Sequence, residues 1–171
     1  MDTAELRAIQ QPLKDRYRSD PQQAMITLQA QGELGGEAIS CSVATDEGLT
    51  TAGLHPATGG DGSLACSGDM LLQALVACAG VTLRAVATSM RIPIAGGTVR
   101  AEGDLDVRGT LGVSKDAPVG FAAIRLSFEL DTDASDEQVA RLITSTERYC
   151  VVYQTIAHPA RVATSAGKRA V

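Results

Sequence analysis

The sequence predicts an α+β fold, with strands and helices segregated along the chain. Three observations lead there. A helix-length segment at the middle is apolar around nearly its whole circumference. Segments before and after it alternate apolar and polar residues with period two, the signature of antiparallel strands with one wet face. Helix signals then return only near the C-terminus. The order read is two strands, a buried helix, two strands, one or two helices and a strand. A nucleotide-binding α/β chain would alternate strand and helix instead.

Taken in order, Thr3 to Arg18 is charged and weakly amphipathic, with Pro12 in its middle. Proline lacks an N–H, so this reads as one helix or as two short turns broken there. Ser19-Asp20-Pro21 ends it. From Ala24 to Gln31, Ile26, Leu28 and Ala30 share one face and Thr27, Gln29 and Gln31 the other, a half-buried strand. Gly32 to Gly36 reads as a turn. Ile39, Cys41 and Val43 then alternate with Ser40 and Ser42, closing a hairpin. Leu49 to Ala65 reads as a loop. Its cluster Gly59-Gly60-Asp61-Gly62 lacks the Lys-Ser/Thr of a phosphate loop and reads as a mobile or ligand-facing turn.

Ser67 to Met90 is the strongest helix. Ser67 is a suitable cap and Asp69 lies in the first turn, where a carboxylate suits the dipole. Leu71, Leu72, Leu75, Val76, Val81, Leu83 and Val86 cover nearly all sides, so the helix reads as central and buried. Thr98 to Arg108 is a strand with Val99, Ala101, Leu105 and Val107 inward. Leu111 to Gly120 is a long turn. Phe121 to Asp131 is a strand with Ile124, Leu126, Phe128 and Leu130 inward. Ser135 and Gln138 form a capping box that opens a helix carrying Val139, Leu142 and Ile143 on one face. A short apolar segment from Tyr149 to Tyr153 follows. Arg161 to Ser165 reads as the last strand.

Composition narrows the function. A net charge of -5 and 3% aromatics with no Trp argue against nucleic acid as a partner, because phosphate binding needs a basic patch and base stacking needs aromatic platforms. Met1 to Arg7 has neither a basic nor an apolar leader. The uncharged run Met70 to Leu83 is shorter than the roughly 20 residues of a bilayer span. The expectation is therefore no membrane partner and a reducing, cytoplasmic setting for the cysteines. Cys41, Cys66, Cys78 and Cys150 show no metal-ligand spacing, and His55 and His158 stand alone, so no metal is expected.

Each cysteine has a plain reading as a small core residue. Cys41 falls on the apolar face of a strand, and Cys66 lies in a loop before the helix. Cys78 sits mid-helix. Cys150 opens a short segment, where free backbone N–H groups would favour its thiolate.

The run Asp69-Met-Leu-Leu-Gln-Ala-Leu-Val-Ala-Cys78-Ala-Gly-Val-Thr82 resembles the central helix of the OsmC/Ohr family, the osmotically induced and organic-hydroperoxide-resistance proteins. Arg148-Tyr-Cys150-Val-Val-Tyr-Gln-Thr-Ile156 resembles that family's second-cysteine segment. The resemblance runs from about Ala24 to Thr164, on the motifs and on the order of elements. It implies an N-terminal helical extension over residues 1–23 and an OsmC-like domain over 24–171. It further implies antiparallel sheets wrapped around central buried helices in an intertwined homodimer.

The activity implied is a thiol-dependent peroxidase acting on organic hydroperoxides. Cys78 would be the peroxidatic thiolate and Cys150 the resolving thiol, with an external dithiol as reductant and no bound cofactor. Asp69 and Arg148 are carried over as the acidic and basic companions. Val151 stands where many members have Pro, and Asp69 is one methylene shorter and one residue nearer the cysteine than the hydroperoxidase Glu. The loop from Leu49 to Gly68 holds no Arg, so the activating guanidinium is left among Arg16, Arg18 and Arg148. The alternative function is a non-catalytic protein binding a small ligand on the same scaffold. The two are separated by whether an arginine lies near Cys78.

Overall fold

The computed structural model describes residues 1–36, 38–45 and 48–168. Residues 169–171, the end of the expected 24–171 domain, lie outside them. The described chain is α+β, with a four-stranded sheet, a two-stranded sheet and a helical layer.

Helix α1 spans Thr3–Ser19 without a break. Asp2 and Glu5 form a capping box, and Pro12 sits on a fully exposed stretch of the helix. The helix rests on the C-terminal end of α2, where Thr3 Oγ1 donates to the Thr88 carbonyl at 2.8 Å. The four-stranded sheet contains β1 (Gly32–Leu34), β2 (Ser40–Thr45), β3 (Gly48–Gly53) and β4 (Ala65–Cys66), in the order β1-β2-β3-β4. The first two junctions are antiparallel and the β3–β4 junction is parallel.

Several expectations are corrected here. The segment Ala24 to Gln31, read as the first strand, carries no ladder: Ala24 closes a 3-10 turn, and Met25, Ile26 and Leu28 are 74–84% exposed. Their alternation is real, but a strand needs a partner, and this segment pairs with none among the described residues. The segment read as a turn supplies β1 instead, with Gly32 opposite Val43 and Leu34 opposite Cys41. The segment read as a loop holds β3, a 3-10 turn at Pro56–Thr58 and β4. Within it, Asp61 Oδ1 accepts from both the Ser63 N–H and hydroxyl, a local turn held by its own side chains.

Helix α2 spans Ser67–Met90, as read from the sequence. Its N-cap is Cys66, not Ser67, and no side chain caps it. Strand β4 runs straight into the helix, so Ser67 is already inside the first turn. By length and composition α2 is apolar enough to cross a membrane, contrary to the sequence estimate. In the structure it packs instead on β5, α4 and α5. Only the row Leu75, Ala79, Leu83 and Ala87 is buried within the chain, while Val81 is 73% exposed.

The second sheet pairs β5 (Gly96–Leu105) with β6 (Phe121–Asp131), antiparallel throughout. The inward residues of β6 are those expected, since Ile124, Leu126, Phe128 and Leu130 are half-buried and Arg125, Ser127 and Glu129 exposed. Strand β5 stops at Leu105, short of Arg108, because Asp106 caps the one-turn helix α3 (Val107–Thr110) by accepting the Arg108 N–H. Gly103 is required by packing: a Cβ there would lie 2.5 Å from Phe121 Cε1, so the ring occupies the place of the missing side chain.

Helix α4 (Asp136–Tyr149) begins at the Ser135–Gln138 capping box, and α5 (Val151–Ala157) follows after Cys150 alone. Leu83, Ala87, Ile92 and Leu142 form the buried core between α2, α4 and the two-stranded sheet. Residues 161–165, read as a last strand, form no regular element, and Val162 is 90% exposed. They pair with no strand among the described residues.

Candidate active site

The site forms where the middle of α2 meets the joint between α4 and α5. Cys150 is that joint: it is both the C-cap of α4 and the N-cap of α5. Its residue is completely buried, and its Sγ accepts the Tyr153 N–H at 3.5 Å. Cys78 is half-buried on α2, and the Cys150 thiol is one of the groups that act on its ionisation. Residues separated by seventy-two positions thus form one thiol pair, both free in this structure.

The two thiols are driven apart in acidity. Burial opposes ionisation of Cys78, but four donors outweigh it: the Val152 N–H, the Cys150 thiol, the Val151 N–H and the Thr82 hydroxyl. The net effect holds Cys78 below the usual thiol value. Burial pushes Cys150 above it, against the Tyr153 N–H, and the neighbouring Cys78 raises it further. Cys78 is thus more acidic than an ordinary cysteine and Cys150 less acidic.

The expectation that the leading N–H groups of α5 favour the thiolate of Cys150 holds in part: the Tyr153 and Val152 N–H groups do lower its pKa, but burial outweighs them. The Val152 and Val151 N–H groups also lower that of Cys78. Thr82 was missed as well. Its signal was available, since four residues along a helix bring Thr82 onto the face of Cys78.

The other expected companions do not join the pair. Asp69 is exposed in a groove with Leu72, Gln73, Val76 and Ala101, about 13.5 Å of helix rise from Cys78. Arg148 is exposed, with its guanidinium carbon 5.4 Å from the Tyr149 ring centroid. Arg16 stacks on Tyr17 at 5.1 Å, and Arg18 pairs with Asp15 at 2.8 Å. Among the described residues no arginine acts on the Cys78 thiol. The expectation of an arginine activator within one chain is therefore replaced by neutral donors. Cys66 and Cys41 are half-buried and lie apart from the pair, on β4 and β2.

The family model of the OsmC-like protein matches residues 60–165. No curated protein sequence matches the chain. Among solved structures, an OsmC-like protein from Mycoplasma pneumoniae aligns with TM-score 0.65 at 19% identity, covering 78% of this chain and 89% of that one. An organic hydroperoxide resistance protein OsmC from Legionella pneumophila aligns with TM-score 0.60 at 19% identity, covering 78% and 91%. An OsmC-like protein of unknown function from Vibrio cholerae aligns with TM-score 0.57 at 12% identity, covering 77% and 94%. At these identities the structural likeness speaks for the fold.

Proposed function

We propose, from the premise that the chain belongs to the OsmC-like family, that it is a thiol-dependent peroxidase reducing organic hydroperoxides through Cys78 and Cys150. The observation that carries this reading is the opposed acidity of two thiols that act on one another. The Cys78 thiolate attacks the outer peroxide oxygen, the O–O bond breaks, and the alkoxide leaves to take a proton from water. The resulting sulfenic acid condenses with the Cys150 thiol, forming a disulfide and releasing water. An external dithiol, available in a reducing cytoplasm, returns both thiols by exchange.

The donors around Cys78 fit these steps. Val151, Val152 and Thr82 favour the thiolate before attack. Cys150, made less acidic by burial, acts on Cys78 as its partner for condensation. Within one chain neither Asp69 nor Arg148 acts on Cys78, so their implied roles are retained only across a subunit boundary.

A homodimer belongs to this proposal. The exposed apolar residues Met25, Ile26, Leu28, Leu34 and Ile39 all precede or lie beside the outer sheet. A second copy covering them would form an interface in the class above roughly 2,000 Å².

The test is peroxide turnover with thiol counting. Cys78→Ser should abolish reduction of an organic hydroperoxide. Cys150→Ser should allow one oxidation per chain and then stall at the sulfenic acid. In the parent, two thiols per chain should be consumed and a Cys78–Cys150 disulfide found by mass spectrometry. Full activity in Cys78→Ser, or no such disulfide, would replace the peroxidase by the second reading. That reading is a small-ligand-binding protein with an unreactive thiol pair, and it is favoured by the lack of an arginine acting on Cys78 among the described residues.

A further inference from the structure

A cavity of about 410 Å³ opens between β6 and α5, walled by Leu75, Phe121, Ile124, Leu126, Tyr153 and Ile156. This volume lies within the usual range for small-molecule sites. Neither cysteine lines it. Its one ionisable carboxylate is Glu147, half-buried in the last turn of α4.

Glu147 is oddly placed for a structural acid. The C-terminal turn of a helix carries partial negative charge, so a carboxylate there is disfavoured. The Glu147 backbone carbonyl accepts from Gln154 Nε2 at 2.9 Å, but its carboxylate has no hydrogen-bond or ion-pair partner among the described residues. The neighbouring Arg148 stacks on Tyr149. A lining of mostly apolar side chains, with the Tyr153 phenol and one unpaired carboxylate, fits a ligand with an apolar body and a positive head. It repels carboxylates, and the net charge of -5 on the chain acts in the same direction.

We propose that this cavity binds amphiphilic organic cations, with Glu147 pairing to an ammonium head and the β6–α5 walls covering the alkyl body. The inference does not rest on the peroxidase reading, because it concerns unreactive ligands and reduced thiols.

The experiment is calorimetric titration of the reduced, full-length protein with octylammonium, octanol and octanoate, each below its micelle concentration. Octylammonium should bind at least tenfold more tightly than octanol, and octanoate more weakly than both. Glu147→Gln, an isosteric change, should bring octylammonium down to the level of octanol, and Glu147→Lys should reverse the order of the two ions. Glu137→Gln, which removes an exposed acid at the other end of α4, should change nothing. Equal affinities for the three probes would overturn the proposal. So would no binding of octylammonium, or an equal loss in Glu147→Gln and Glu137→Gln. Peroxide turnover measured on the same variants keeps this outcome separate from the fate of the thiol reading.

Discussion

The two sheets of this protein differ in what lies against them. The β5–β6 ribbon carries α2 and, across it, α4 and α5, and that layer encloses every buried apolar residue of the described chain. The β1–β4 sheet has a comparable ladder of backbone pairs yet not one buried residue. Hydrogen bonding is therefore not the difference. Alternation makes a strand, but burial needs a second layer, and only one of the sheets has one within the chain. The unpaired apolar residues before β1 are what such a layer would cover.

The largest expected effect addresses this directly. If a second copy supplies the missing layer, Leu28→Asp combined with Leu34→Asp should convert a dimer to a monomer, read as a halved mass by light scattering at low micromolar concentration. A parent that is already monomeric there would end the dimer proposal. Next comes the packed side. Leu142 is fully buried, so Leu142→Ala should lower stability by about 2–5 kcal/mol, measured by urea unfolding. A smaller loss is expected where α4 starts. Ser135→Ala removes the hydroxyl that accepts the Gln138 N–H at 3.3 Å, for about 1 kcal/mol in the same assay.

The finest distinction concerns the sign of a pH slope. Cys78 is more acidic folded than unfolded, so between its folded and unfolded values the unfolded chain binds more protons and stability rises with pH. The stability it contributes is present above the unfolded value and lost as pH falls through the folded one. Cys150 is less acidic folded, so stability falls as pH rises from the unfolded thiol value. In Cys150→Ser the thiol contribution to stability should thus climb through the range below an ordinary thiol pKa. In Cys78→Ser it should decline above that pKa. Equal slopes in denaturation series run from neutral to alkaline pH would contradict the opposed acidities.

Legibility in the sequence followed the same divide. Helix α2, strand β6 and the capping box of α4 were readable to the residue, because local period and capping chemistry specify them. The first strand, the loop containing β3 and β4, and the last strand were misread, because pairing partners decide those segments. At the site, the two cysteines could be named from the motifs they sit in, and Thr82 could have been found from its spacing. That the α5 N–H groups serve Cys78 could not be read from spacing.

Sequence by itself determined the class of fold and the span of helix α2, and it named the two cysteines that the structure brings together. Periodicity, capping residues and a motif are local quantities, and each is written within a few turns of chain. Only the tertiary structure decided that α5 shares its leading N–H groups between Cys78 and Cys150, that burial makes Cys150 the less acidic of the two, and that Asp69 and Arg148 stand apart. Acidity depends on the direction of dipoles and the exclusion of water around one atom, and elements distant in the chain supply both.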